Sequence, residues 1–347
     1  MSRHLGFHNL PYMAHRKSMK KGFRFTLMVV GESGLGKSTL IQSLFGNSIA
    51  TSSAASHSIQ PTTTIETVTA DIEPFDDPRG VKMKLTVVDT PGFGESIDSS
   101  NCWQPIVDFI NQKYDQYYED ESGFNRPNIE DNRVHCCLYF INPSCHQLKP
   151  LDIKCMQELH KLVNVVPVIA KADTLTDIEK KKLKTRLLNE INENGIQIYT
   201  GQIEEEEDSP EIFEIMNAIP MAVVGSTEYH RLAGEKVRGR SYPWGLVQVE
   251  NKDHCDFLLL KSMLINTHMQ DLKDCTQDIH YENFRKKKLK QEHSDLQQFI
   301  GVTSGGGAGG GDAMLLAKER EIEEMKRQMA MLQAQLQRGG AGNPRVM

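Results

Sequence analysis

Gly31-Glu32-Ser33-Gly34-Leu35-Gly36-Lys37-Ser38 follows an apolar, β-prone run, Phe25-Thr26-Leu27-Met28-Val29-Val30. A helical pattern comes next: Thr39, Leu40, Ile41, Leu44 and Phe45. Glycine, four residues, then Gly-Lys-Ser is the phosphate-binding loop, and strand before with helix after is the context its chemistry requires. The glycines let backbone N–H groups close around phosphate oxygens, and the helix N-terminus adds partial positive charge. Lys37 is placed to reach the β- and γ-phosphates, and the Ser38 hydroxyl to ligate Mg²⁺.

Outward from that loop, strand candidates recur to about Gly245: Phe25–Val30, Thr64–Ile72, Met83–Val88, His135–Ile141, Val165–Ala170 and Met221–Val224. Helical patterns lie between most of them. This alternation predicts an α/β fold with a doubly wound, mostly parallel sheet. Thr64–Ile72 and Met83–Val88 read as a hairpin, which predicts one antiparallel edge strand.

Asp89-Thr90-Pro91-Gly92 stands at the end of a strand, where an acid can hold Mg²⁺ through water opposite Ser38. Gly92 has no side chain, so its N–H can approach a γ-phosphate. By itself the tetrapeptide is also an ordinary turn. Ala170-Lys171-Ala172-Asp173 ends another strand. The Asp173 carboxylate can accept the ring N–H and exocyclic amine of guanine, while adenine would leave it unpaired. The Lys171 stem can lie along the purine, and the backbone at Gly225 can meet the base. Phosphate, magnesium and base motifs in that order predict a GTPase that binds GTP and GDP. Phe93 stands where Ras-type enzymes place a water-orienting Gln, which predicts slow turnover. Thr62, Thr63 and Thr64 are the nearest candidates to hold the water.

The chain has 347 residues, 39% hydrophobic and 25% charged, the mix of a globular protein. Forty basic against 46 acidic residues give a net charge of −6, which argues against a nucleic-acid partner. Seven cysteines without a Cys-x-x-Cys pair argue against structural zinc or a disulfide framework and suit a reducing compartment. Cys136 and Cys137 read as small core residues. No apolar segment reaches spanning length and no signal core precedes the first strand, so a soluble, cytoplasmic protein is expected.

Residues 1–21 are polar, and Arg16, Lys17, Lys20 and Lys21 cluster there as either a solvated tail or an anionic-lipid patch. Residues 47–63 read as a switch-like loop. Glu204 to Asp208 is a solvated loop or a docking surface for a basic partner. A Gly-rich linker is expected over 293–313, and a short helix over 314–338. Leu315, Ile322, Met325, Met329, Leu332 and Leu336 give that helix an apolar seam interrupted by Lys318. It reads as a short coiled coil, an amphipathic membrane helix or a solvated helix.

From about Gly22 to Lys290 the chain closely resembles the septins. The resemblance rests on Gly31–Ser38, on Asp89 through Gly94, on Ala170-Lys171-Ala172-Asp173, and on a block that general GTPases lack. That block runs from Val237-Arg238-Gly239-Arg240-Ser241-Tyr242-Pro243-Trp244-Gly245 to His280-Tyr281-Glu282-Asn283-Phe284-Arg285 and looks like the septin unique element, about 237–290. Septins also have Ala where Ala170 replaces the usual Asn. The resemblance implies a Ras-like P-loop GTPase domain over 22–292 with this element at its C-terminal end. It implies subunits that polymerise with themselves or other septins into non-polar filaments, through a nucleotide-containing interface and a terminal-helix interface. The place implied is the cytoskeleton, at the cell cortex or division site.

Residue by residue, the resemblance implies nucleotide contacts at Gly31, Ser33, Gly34, Gly36, Lys37, Ser38, Thr39, Gly92, Lys171, Asp173 and Gly225, with Arg240 stacking on the base. Ser38, Asp89 and Thr62 would serve Mg²⁺, and Thr62 would serve hydrolysis, with Thr63 as the other candidate. His146, Thr174, Glu179 and Trp244 would face the neighbour across the nucleotide interface. Arg16, Lys17, Lys20 and Lys21 match a phosphoinositide-binding segment. Cys145 and Gln147 flank His146 where septins usually have glycines, which implies a stiffer loop. A GTP-bound subunit that never hydrolyses, and a monomeric switch GTPase, are the alternatives to a slow filament GTPase.

Overall fold

The computed structural model describes residues 23–45, 65–72, 83–93, 101–123, 129–145, 147–201, 210–232 and 234–304. Within them a six-stranded sheet has the order β2-β3-β1-β4-β5-β6. Its strands are β1 Phe23–Gly31, β2 Glu66–Ile72, β3 Met83–Asp89, β4 Cys136–Ile141, β5 Asn164–Ile169 and β6 Met221–Ala222. All neighbours run parallel except β2, which pairs antiparallel with β3 as the hairpin reading predicts. The strand expected over Met221–Val224 is only two residues long, Met221–Ala222, although Val223 still donates to Ile169 O at 2.9 Å and accepts from Ala172 N–H at 3.0 Å.

The centre of the sheet is apolar on both faces. Phe25, Leu27, Met28, Val29 and Val30 of β1 are buried, as is every residue of β4 and β5. That is why these strands read as continuous apolar runs. Edge strand β2 instead exposes Glu66, Thr67 and Thr69. Cys136 and Cys137 are fully buried, and none of the seven cysteines is in a disulfide.

Helices cover the sheet: α1 Lys37–Phe45, α2 Gln104–Ser122, α3 Pro150–Leu159, α4 Asp177–Glu193 and α5 Pro210–Ala218. The connections from β1 and β4 lead to opposite sides of the sheet. The crevice outside their carboxyl ends is the place where such folds bind ligands.

A second, antiparallel sheet of β7 Tyr229–Leu232, β8 Glu235–Tyr242 and β9 Gly245–Gln248 follows. It starts before Val237, where the added element was expected, because Tyr229–Leu232 supplies a third strand. Then come α6 Phe257–Ser262, α7 Met269–Cys275 and α8 Glu282–Ser304, joined by π-helical turns at Met263–Thr267 and Thr276–Tyr281. Phe257, Leu260 and Leu264, at helical spacing, are buried and Met269 is half-buried.

The chain divides into two compact units, Met1–Phe284 and Arg285–Met347. The Gly-rich linker expected from residue 293 gives way to helix as far as Ser304. The stretch before Gly301 contains neither Gly nor Pro to stop it. The basic segment 1–21, the switch-like loop, Glu204 to Asp208, Gly305–Gly311 and the helix expected over 314–338 lie outside the described residues.

Candidate nucleotide-binding site

The phosphate loop leaves β1 and closes onto the N-terminus of α1. Gly34 and Gly36 have φ of +73° and +84°, the left-handed region where a side chain is strained. Lys37 is 7% exposed, and its ammonium donates to the carbonyls of Gly31 at 3.0 Å and Glu32 at 2.8 Å. The lysine thus crosses its own loop. The carboxylate of Glu32 pairs with Lys149 and accepts from Asn142 Nδ2 at 3.2 Å. Burial pushes this carboxyl up, but the Lys149 and Asn142 hydrogen bonds outweigh it and hold it low.

The Asp89 loop is stitched to the phosphate loop. Phe93 N–H donates to Gly31 O at 3.2 Å, and Ser33 N–H donates to Phe93 O at 3.1 Å. A Cβ on Gly92 would lie 2.4 Å from Ser33 Cα, so only glycine fits. Phe93 is 5% exposed; its ring packs in the core and offers nothing to orient water. Thr90 anchors the turn by donating to Val29 O at 2.8 Å. Ser38 Oγ donates to Asp89 Oδ2 at 2.6 Å, while Asp89 Oδ1 is buried without a partner. Burial raises this carboxyl above its ordinary value despite the Ser38 bond and the Lys37 charge. A hydroxyl beside a desolvated carboxylate is a hard oxygen set that suits Mg²⁺.

At the base end, Ala170 is buried at the tip of β5 and Lys171 turns the chain with φ of 48°. The Asp173 side chain is fully buried. Its Oδ2 accepts from Arg240 Nη1 at 2.9 Å and from the Tyr242 hydroxyl, and its Oδ1 has no partner. Arg240, expected to stack on a base, forms an ion pair with Asp173 here. The two-residue period of β8 puts Arg240 and Tyr242 on one side of the strand, facing the acid. Gly225 lies against α1, where an added Cβ would be 3.2 Å from Leu40 N and Cα.

A cavity of about 800 Å³ joins these parts. Ser33 to Leu40, Thr90, Gly92, Lys171, Gly225, Arg240 and Tyr242 line it. It thus gathers Ser33, Gly34, Gly36, Lys37, Ser38, Thr39, Gly92, Lys171, Gly225 and Arg240. Gly31 lies beneath it, packed so close to β4 that a Cβ would be 2.7 Å from Phe140 O. The predicted interface residues are not in the lining. Thr174 Oγ1 donates to Lys171 O at 2.8 Å, and Glu179 closes a capping box with Thr176 at the start of α4. Trp244 is 68% exposed and stacks on Tyr242 with centroids 4.9 Å apart. Thr62, His146 and the four basic residues Arg16, Lys17, Lys20 and Lys21 lie outside the described residues.

Glu32, Arg238 and Tyr242 were missed as site residues. The alternation Arg238, Arg240, Tyr242 was the available signal for two of them. No helix among the described residues is long and apolar enough to cross a membrane.

Comparison with known proteins places this geometry. The family profile described as Septin matches residues 21–298. The chain is 51% identical over 341 residues to Septin-2B of Xenopus laevis, spanning 96% of this chain and 94% of that protein. It is 48% identical to Septin-1 of Drosophila melanogaster, spanning 96% and 95%. A crystal structure of a septin GTPase domain from Chlamydomonas reinhardtii superimposes with a TM-score of 0.60 at 28% identity, covering 76% of this chain and 98% of that one. A family profile over most of the chain and relatives of about half identity along its length show that the chain belongs to the septin family of GTP-binding cytoskeletal proteins.

Proposed function

We propose that this septin is a slow, Mg²⁺-dependent GTPase whose nucleotide state sets its assembly. The observation that carries the reading is the pair of buried acids, Asp89 and Asp173, each keeping one oxygen without a partner. Their partnered oxygens are held by Ser38 and by Arg240 and Tyr242, which line the same cavity. Ser38 and Asp89, the latter through water, would hold Mg²⁺, which neutralises charge that develops on the phosphates. Lys37 and the N–H groups of Gly34 and Gly36 bind and orient the phosphates. Asp173 selects guanine. Thr62 holds the attacking water and completes the metal's ligands.

Polymerisation uses a nucleotide interface with His146, Thr174, Glu179 and Trp244, and a terminal-helix interface, between copies of this chain or with other septins. The exposure of Trp244 supports the first of these. Arg16, Lys17, Lys20 and Lys21 dock on anionic, phosphoinositide-bearing membranes. The cell cortex or division site follows from such docking.

Burial of Phe93 favours a second reading, a subunit that keeps GTP unhydrolysed as a fixed filament component. The nucleotide carried by freshly purified protein decides between them, together with single-turnover GTP hydrolysis by wild type and Thr62→Ala. GDP in the purified protein and a loss of at least tenfold in the variant support the slow GTPase. GTP alone, with no turnover in either protein, overturns it.

A further inference from the structure

We propose that Tyr242 is a specificity-determining residue of the base site: its hydroxyl holds the Asp173 oxygen that the exocyclic amine of guanine takes, and yields it when guanine binds. This rests on the guanine reading of Asp173. A carboxylate oxygen offers two lone pairs. On Oδ2 both are engaged, by Arg240 Nη1 at 2.9 Å and by the Tyr242 hydroxyl. Oδ1 is buried and has none engaged.

Guanine presents its ring N–H and its exocyclic amine side by side, one for each carboxylate oxygen. The ring N–H would take Oδ1, where there is no donor to displace. The amine requires a lone pair on Oδ2, so one donor must leave. Both donors bond an ionised oxygen, but only Arg240 adds an opposite formal charge to its hydrogen bond. Tyr242 is the neutral donor, it lines the cavity, and its ring stacks on the exposed Trp244 within 4° of parallel. Tyr242 therefore leaves, and the Tyr242–Trp244 pair moves with it.

Two consequences follow. Hypoxanthine has the ring N–H and no amine, so it leaves Tyr242 on Oδ2 and costs the site little. Tyr242 thereby blunts discrimination at the amine. Occupation by guanine is also passed to Trp244 at the surface.

The test measures affinities of nucleotide-stripped full-length protein for GDP, IDP and ADP, in wild type and Tyr242→Phe. The expected result is a GDP-over-IDP preference that widens by roughly tenfold or more in the variant, the worth of one hydrogen bond to a charged acceptor. The ratio cancels any general weakening of the site. An unchanged or narrower ratio overturns the proposal. A second measurement leaves Tyr242 intact. The chain has two tryptophans, so Trp103→Phe leaves Trp244 as the sole emitter. GDP should change its emission and IDP should change it much less; equal changes overturn the proposal. ADP binding as tightly as GDP to wild type would instead overturn the guanine reading.

Discussion

Arg238 donates from Nη1 to the carbonyl of Ser43 at 2.6 Å, closing the last turn of α1 from the second sheet. Carbonyls in the last turn of a helix have no partner of their own. The same guanidinium donates to Glu250 at 2.8 Å and lies 5.2 Å from the Phe257 ring centroid. Ser43 in turn donates to Ser226 O at 3.0 Å, and Ser226 to Gly239 O at 2.7 Å. The helix that begins at the phosphates thus ends on the element that supplies Arg240 and Tyr242.

Arg238→Ala should therefore destabilise the protein by about 2–4 kcal/mol, because it strips a buried carbonyl and Glu250 of their donor. Urea unfolding measures this. Arg238→Lys should restore less than half, since one ammonium cannot replace a forked guanidinium.

Asp89 should impose a stability cost that its metal relieves. Burial raises its folded-state carboxyl above the unfolded value, so the native state binds more protons between the two. Stability then falls as pH rises through that window and stays lower above it. Asp89→Asn should raise the melting midpoint of nucleotide-free protein at neutral pH by roughly 2–4 °C. Calorimetry checks this, and the same variant should lose the gain in nucleotide affinity that added Mg²⁺ gives wild type.

Asp173→Asn should exchange guanine for xanthine. An amide offers one donor and one acceptor, which fits the carbonyl that xanthine carries in place of the amine. Loss of GDP affinity by a factor of about 100 or more is expected, with XDP gaining over GDP. Competition against labelled GDP and XDP reads both. An unaltered GDP preference would remove Asp173 from base recognition.

Asp131 should set the acid limb of stability. It accepts from Arg133 Nε and Nη2, each at 2.9 Å, and pairs with His135 Nε2 at 3.2 Å. Arg133 also lies 3.7 Å from the Tyr117 ring centroid and donates to Gln277 at 2.6 Å, tying α2 to the π-helical turn Thr276–Tyr281. Burial pushes the Asp131 carboxyl up, but the Arg133 and His135 bonds prevail and hold it well below the ordinary range. Its stabilisation is present above the unfolded carboxylate pKa of about 3.9 and fades as pH falls below it. Asp131→Asn should cost about 3 kcal/mol at pH 7. The gap from wild type should shrink below about pH 4 in denaturant titrations.

Much of the site was legible residue by residue. Gly34, Gly36, Lys37 and Ser38 fall on one loop because glycine at positive φ and a lysine at a helix start leave few alternatives. Asp89 and Asp173 were legible because each ends an apolar strand, and parallel strands end on one side of the sheet. Arg240 and Asp173 were each found, but their pairing was not. An ion pair between residues 67 positions apart leaves no local pattern. Glu32 occupies a position the loop pattern leaves open, and its bond to Lys149 crosses from the end of β1 to the segment after β4.

By itself, then, the sequence determined the sheet, its antiparallel edge and the loops that carry the glycine pattern, Asp89 and Asp173. Those are local properties, set by apolar periodicity and by the backbone freedom of glycine. Only the tertiary structure decided that Asp89 and Asp173 each keep one buried oxygen without a partner, and that β8 presents Arg240 and Tyr242 to the second acid. Burial and lone-pair occupancy depend on what packs around a side chain, and those neighbours come from strands far apart in the chain.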